Sequence, residues 1–254
     1  MRKPFVGGNW KSNGTTDSIK ALVSSLVKDS AKWSKDSVDV VLAPASVHIP
    51  LTRQLLAGHS EFQVSAQNVS KFGAGAFTGE VHAEMLTDLG VHWTLIGHSE
   101  RRHKFAESFE DTAEKIRMCQ QHNLHVVFCI GELLDERNAG QTIAVCAQQL
   151  APVFAAISDW SKVVIAYEPV WAIGTGVVAT TAQAQEAHLQ VRAEIAAKAG
   201  ALVAQSVRIL YGGSVTAENC KELMACPDVD GFLVGGASLK PSFTDIIVAA
   251  SQSA

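Results

Sequence analysis

Glu168 ends an apolar run, Lys162–Tyr167, and is joined directly to Pro169. A carboxylate emerging from a buried strand meets low-dielectric surroundings. There its pKa can rise, which suits it to taking a proton from carbon. Pro169 biases Glu168 toward extended geometry and keeps a helix from starting at once. A structural salt bridge at a strand end would use the same residue equally well. His98 lies in LIGHSERR (Leu95–Arg102), where a strand gives way to a helix. Just inside a helix start the positive dipole end favours the neutral ring, which can still donate a hydrogen bond to a carbonyl. The plain alternative is a hydrogen-bonded turn histidine, since the chain has nine histidines in all.

Lys11 follows Asn9 and Trp10 at the end of another apolar run. Most lysines are solvated surface charges, but an ammonium beside an amide here can meet a developing oxyanion or a phosphate. Glycines recur in Ile173–Gly176, Tyr211–Ser214 and Val234–Ser238. Glycine lets backbone N–H groups approach a phosphate closely. Each site alone is an ordinary turn, whereas three in consecutive loops point to an anion pocket.

Other chemistries fail on spacing. GHSER breaks the G-x-S-x-G pattern because Arg101 stands where glycine is required, so Ser99 is a poor nucleophile. His98-Ser99-Glu100 gives H-x-E, but no P-C-x-x-C completes a zinc deaminase site. GTGVVA (Gly174–Ala179) matches a dinucleotide fingerprint but begins too far beyond its strand. No Walker A sequence and no H-E-x-x-H occur.

These residues need elements to hold them. Short, nearly continuous apolar runs read as strands buried on both faces: Pro4–Asn9, Val38–Ala43, Glu61–Ala66, His92–Gly97, His125–Ile130, Lys162–Tyr167, Val207–Tyr211 and Asp230–Val234. Helical patterns separate them, among them Asp17–Lys28, Ser108–Gln121 and Thr181–Lys198, the last ending at Gly200. Strict alternation predicts a parallel sheet. Eight strand–helix units in about 250 residues fit a single (β/α)8 barrel domain over residues 1–254. A doubly wound open sheet is the competing architecture. In a barrel the chemistry sits at the C-terminal strand ends. Asn9, Lys11, His98, Glu132, Glu168 and the glycine sites all fall at such ends.

The 254 residues are 47% hydrophobic and 18% charged, with a formal net charge of −4. That composition supplies a sizeable core. No basic tract exists, so neither nucleic acid nor a membrane surface is an expected partner. Five cysteines, an odd number without C-x-x-C spacing, fit a reducing compartment. With no apolar run of spanning length and no leader-like start, the expected location is the cytoplasm.

GGNWKSNG (Gly7–Gly14), GAFTGEV (Gly75–Val81), LIGHSERR, CIGE (Cys129–Glu132), AYEPVWAIGTG (Ala166–Gly176), RILYGGSV (Arg208–Val215) and GFLVGGASLK (Gly231–Lys240) together resemble the triosephosphate isomerase family, in order and over nearly the whole chain. The resemblance implies a (β/α)8 barrel that interconverts dihydroxyacetone phosphate and D-glyceraldehyde 3-phosphate, in glycolysis and gluconeogenesis, with no metal and no cofactor. It implies that Glu168 shuttles the proton, that a neutral His98 polarises the carbonyl and stabilises an enediol(ate), and that Asn9 and Lys11 meet the substrate oxygens. Glu100 matches an acid that interacts with Lys11. Gly174, Ser214, Gly235 and Gly236 match phosphate-binding positions.

By the same resemblance the loop after Glu168 is a lid. Its hinges are Pro169, Val170 and Trp171 on one side and Val177, Val178 and Ala179 on the other. The tip is Ala172, Ile173, Gly174, Thr175 and Gly176. Tyr211 and Ser214 match partners of the closed tip, and Glu132 matches a partner of the open-lid tryptophan. An enediol phosphate readily loses phosphate in water, so a lid is a chemical need. Ala66–Glu80 resembles the family's dimer loop, with Phe77 and Thr78 near its tip and Thr78 directed at the neighbour's Asn9 and Lys11. That implies a homodimer; an ordinary surface loop is the alternative. Two positions depart from the family pattern: Val177, often lysine, and Ser12, often methionine. Two rival readings remain, an aldolase with Lys11 as Schiff-base amine and a sugar-phosphate-binding barrel without turnover.

Overall fold

Residues 2–174 and 178–253 are described by the computed structural model. The strands are β1 (Phe5–Asn9), β2 (Asp39–Ala43), β3 (Phe62–Ala66), β4 (Trp93–Ile96), β5 (His125–Ile130), β6 (Val163–Tyr167), β7 (Arg208–Tyr211) and β8 (Gly231–Val234). They pair in parallel in chain order, and β8 closes on β1 with Phe5 opposite Gly231 and Gly8 opposite Val234. Closure excludes the open doubly wound sheet. Every strand lies within a residue or two of its expected bounds at each end.

The continuous apolar runs have a simple cause. Alternate residues face opposite sides, and both sides are dry. Phe5, Val41, Leu95, Val127, Val164, Leu210 and Leu233 fill the barrel, whereas Val6, Val40, Ile96, Val126, Ile165 and Ile209 pack under the helices. Gly231 permits the closing seam: its φ is +135°, and a Cβ there would lie 1.9 Å from the Phe5 carbonyl oxygen.

Helix starts follow local capping chemistry. Thr15 caps Thr16–Asp29 through a reciprocal bond with Ser18, Ser108 caps Phe109–Gln121 with Asp111, and Thr180 caps Thr181–Ala199 with Gln183. Gly200, at φ +97°, ends the last of these as expected. It also starts a further helix, Ala201–Ser206, that the sequence pattern did not reveal. Six residues flush against a glycine are too short for a helical period to show.

At the N-terminal end of the barrel, charged and aromatic side chains form a plug. Asp39 bonds Lys3 and Arg208 at 2.5 Å each. Asp230 bonds Arg2 at 2.5 Å and Arg192 at 2.7 Å, and Arg192 also bonds Asp228 at 2.7 Å. The rings of Trp93 and His125 stack at 4.6 Å. Among the described residues no helix is long and apolar enough to cross a membrane.

Candidate active site

Glu168 continues β6 by one residue, its N–H donating to the Ile130 carbonyl at 2.7 Å. The carboxylate is 1% exposed. One oxygen, Oε2, accepts the Ser99 N–H at 3.0 Å, and Oε1 lies 3.0 Å from Nε2 of His98. His98 is the N-cap of the short helix Ser99–Lys104 rather than a residue inside it, and its Nδ1 accepts the Glu100 N–H at 3.2 Å. Nε2 faces Glu168, so an N–H there points at the carboxylate.

Burial pushes the Glu168 carboxyl upward and is the largest single influence on it. The His98 ring, the Arg102 guanidinium and the Ser99 N–H together outweigh burial and hold it below the ordinary carboxylate value. The expectation of a raised value is thus corrected. Apolar neighbours in sequence imply desolvation, but the opposing partners all come from the end of β4.

Lys11 has φ 53°, a left-handed conformation that costs a non-glycine residue about 1–2 kcal/mol. Two amides hold it there. Oδ1 of Asn9 accepts the Lys11 N–H at 3.0 Å, and Nε2 of Gln67 donates to the Lys11 carbonyl at 2.8 Å. The ammonium reaches Glu100 at 2.9 Å. Burial raises the Glu100 carboxyl, but the hydrogen bond and attraction to Lys11 bring it below its usual value.

These side chains share one cavity of about 520 Å³ at the C-terminal barrel mouth, whose wall includes Asn9, Lys11, His98 and Glu168. Gly174, Ser214, Gly235 and Gly236 line it too. The structure therefore brings together all of the sequence-derived reacting and phosphate positions apart from Glu100, which borders the adjoining cavity and reaches the mouth through Lys11. A buried carboxylate, a ring N–H, an ammonium and a glycine-lined pocket can together move a proton beside a carbonyl on a phosphorylated substrate.

Comparison with known proteins gives this geometry a family. The family model described as triosephosphate isomerase matches residues 4–250. The chain is similar to "Triosephosphate isomerase, cytosolic" of Oryza sativa subsp. japonica, 52% identical over 250 residues, covering 98% of each chain. It is also 52% identical over 248 residues to "Triosephosphate isomerase" of Paracoccidioides lutzii (strain ATCC MYA-826 / Pb01), covering 97% of this chain and 98% of that one. The chain belongs to the triosephosphate isomerase family. It is an isomerase that interconverts dihydroxyacetone phosphate and D-glyceraldehyde 3-phosphate, a glycolytic step.

The family's lid positions are only partly described. Thr175, Gly176 and Val177 lie outside the described residues. On the near side, Val170–Ala172 forms a single 3-10 turn after Pro169, and Ile173 lines the cavity. Trp171 Nε1 donates to Glu132 Oε1 at 3.1 Å, and Tyr167 donates to the same oxygen at 3.0 Å. Arg137 stands 5.1 Å over the Trp171 ring. On the far side Ala179 is buried and Val178 is exposed.

Four supporting residues escaped the sequence reading: Ser99, Arg102, Gln67 and Gln149. Ser99 acts through its backbone, for which a side-chain pattern gives no signal. Arg102 reaches the carbonyls of Gly97, Cys129 and Gly131. Gln149 is a visible anomaly in retrospect, a polar residue on the apolar face of the helix Thr142–Phe154 beside Cys146, Leu150 and Val153.

Proposed function

We propose that Glu168 is the general base of this isomerase and His98 its neutral electrophile. The observation that carries the reading is the Glu168–His98 pair, 3.0 Å apart on the wall of the cavity that also holds Lys11. Glu168 removes a proton from the carbon beside the carbonyl and returns it to the neighbouring carbon. Nε2–H of His98 donates to the substrate oxygens in turn, so that an enediol(ate) links the two trioses. This division of labour is the one for which the family is known. Asn9 and the Lys11 ammonium stabilise negative charge on those oxygens. Glu100 holds the ammonium in place.

The phosphate sits against Gly174, Ser214, Gly235 and Gly236, where small residues allow close backbone approach. The lid from Pro169 to Ala179 closes over it, an established device of this family. The Trp171–Glu132 bond supports the open position for the described half of that lid. Closure excludes water and keeps the enediol phosphate from eliminating phosphate.

The reading extends to assembly and place. The protruding loop is closed at its base by a Ser70–Val81 bond, and its Phe72 and Phe77 rings stack at 4.3 Å. A second cavity of about 450 Å³ lies beside Asn9, Lys11 and Glu100. Phe77 and Thr78 of a second copy fit that cavity and complete the wall behind Lys11, which makes the working form a homodimer. The chain forms one domain over residues 1–254, and its cytoplasmic location is supported by the relative named cytosolic.

The test is turnover in deuterium oxide. Dihydroxyacetone phosphate incubated with the protein should acquire carbon-bound deuterium as glyceraldehyde 3-phosphate appears in a coupled assay. Parental turnover in Glu168→Gln would exclude a proton shuttled by that carboxylate. Borohydride trapping should leave Lys11 unmodified, and a covalent adduct would favour the aldolase reading.

A further inference from the structure

We propose that Gln149 is a positioning residue for the isomerisation. Its amide fixes the Gly131 peptide, on which the main chain of Glu168 and the first residue of the lid turn are seated. The inference rests on the reading of Glu168 as the base.

Gln149 is 4% exposed in an otherwise apolar helix face. Both ends of its amide serve a single residue. Oε1 accepts the Gly131 N–H at 2.7 Å and Nε2 donates to the Gly131 carbonyl at 2.9 Å. The same carbonyl accepts from Nη2 of Arg102 at 3.3 Å. Gly131 follows β5 directly, so this fork does for the next peptide what a strand partner does within the sheet. The residues flanking Gly131 then carry the site. Glu168 N–H donates to Ile130 at 2.7 Å, and Val170 N–H donates to the Glu132 carbonyl at 3.1 Å.

Contact between the two segments leaves no slack. At Gly131 φ is +154°, and a Cβ would lie 1.8 Å from the Glu168 carbonyl oxygen. A shift of the Gly131 peptide must therefore shift the backbone of Glu168. Glu132 hangs on the same turn and accepts from Trp171, so the lid would move with it. Reaction rates respond steeply to such shifts, with a misplacement of about 1 Å costing on the order of 10²-fold. Of the phosphate positions, Ser214, Gly235 and Gly236 stand on other loops, after β7 and β8, and Gly174 alone belongs to the lid. Loss of the fork should therefore weaken catalysis far more than phosphate binding.

Gln149→Met keeps the side chain's length and removes both hydrogen bonds. Its kcat should fall about 10- to 100-fold. KM for glyceraldehyde 3-phosphate and the inhibition constant of inorganic phosphate should change less than about twofold. The acid limb of kcat/KM should move to higher pH as the carboxylate leaves the Ser99 N–H and His98. Gln149→Glu, which retains an acceptor for the Gly131 N–H, should fall between this variant and the parent, and it carries the test if the methionine variant does not fold. Val153→Ala, on the same buried helix face, should lower Tm with parental kcat. A folded Gln149 variant with parental kcat and pH profile overturns the inference. So does a loss matched by Val153→Ala at equal Tm. Glu168→Gln run in parallel separates the two readings: parental turnover there overturns the base assignment itself, whereas loss there with a parental Gln149→Met overturns only the positioning role.

Discussion

The two ends of the barrel treat charge in opposite ways. At the N-terminal end Asp39, Asp228 and Asp230 are each matched by arginine or lysine at 2.5–2.7 Å, and aromatic rings seal what remains. At the C-terminal end Glu168 and Lys11 are also paired, but with partners that face an open cavity and have chemistry of their own. The same eight strands supply both ends, so strand composition does not set the contrast. What differs is whether a charged group's partners leave one side free for a ligand. One end closes the barrel and the other keeps its polar groups addressable, as the general placement of active sites at C-terminal barrel ends requires.

Mutations at the two ends should separate activity from stability. The largest effect belongs to Glu168→Gln, which should lower kcat about 10²–10⁴-fold while changing the free energy of unfolding far less. A variant with nearly parental kcat would remove the base from the mechanism. His98→Ala follows, with a loss of about 10²–10³ in kcat for a lost donor to a developing oxyanion; an effect on KM alone would make the ring a binding group. Asp230→Ala tests the other end. It strips a buried carboxylate from Arg2 and Arg192 and should cost about 3 kcal/mol in denaturant unfolding, with kcat per folded molecule unchanged. Loss of kcat without loss of stability would break the contrast between the ends.

The smallest effect concerns pH. His188 is fully buried between Tyr167 and Tyr211, and burial lowers its pKa to about 4 despite the hydrogen bond to the Asp228 carbonyl. The unfolded chain takes up this proton near pH 6.5 and the folded chain only near pH 4. The neutral ring's contribution to stability is therefore present above about pH 6.5 and lost as pH falls, by about 2 kcal/mol at pH 5. Urea midpoints measured between pH 7 and 5 should follow that slope, and His188→Asn should flatten it. An unchanged slope in that variant would assign the acid sensitivity to other groups.

Strands and principal helices were legible because each depends on its own residues. An apolar run buried on both faces announces itself, and so does a threonine or serine cap followed by a bonding partner three residues on. The candidate reacting residues were legible as types at strand ends, with the family resemblance implying the roles proposed for them. What stayed hidden depends on distant partners. The direction of the Glu168 shift needed His98, Ser99 and Arg102, and the left-handed Lys11 needed Gln67. The Ala201–Ser206 helix was hidden by brevity instead.

The seam between β1 and β8 carries a consequence for synthesis. β1 emerges from the ribosome early, yet one of its two edges has no partner until Gly231–Val234 is made. At translation rates of about 5–20 residues per second, that wait lasts on the order of tens of seconds. During it an apolar strand edge stands open to wrong partners, a known route to aggregation. Nascent chains stalled before Gly231 should therefore be those that most engage chaperones, and release past Val234 should end that engagement.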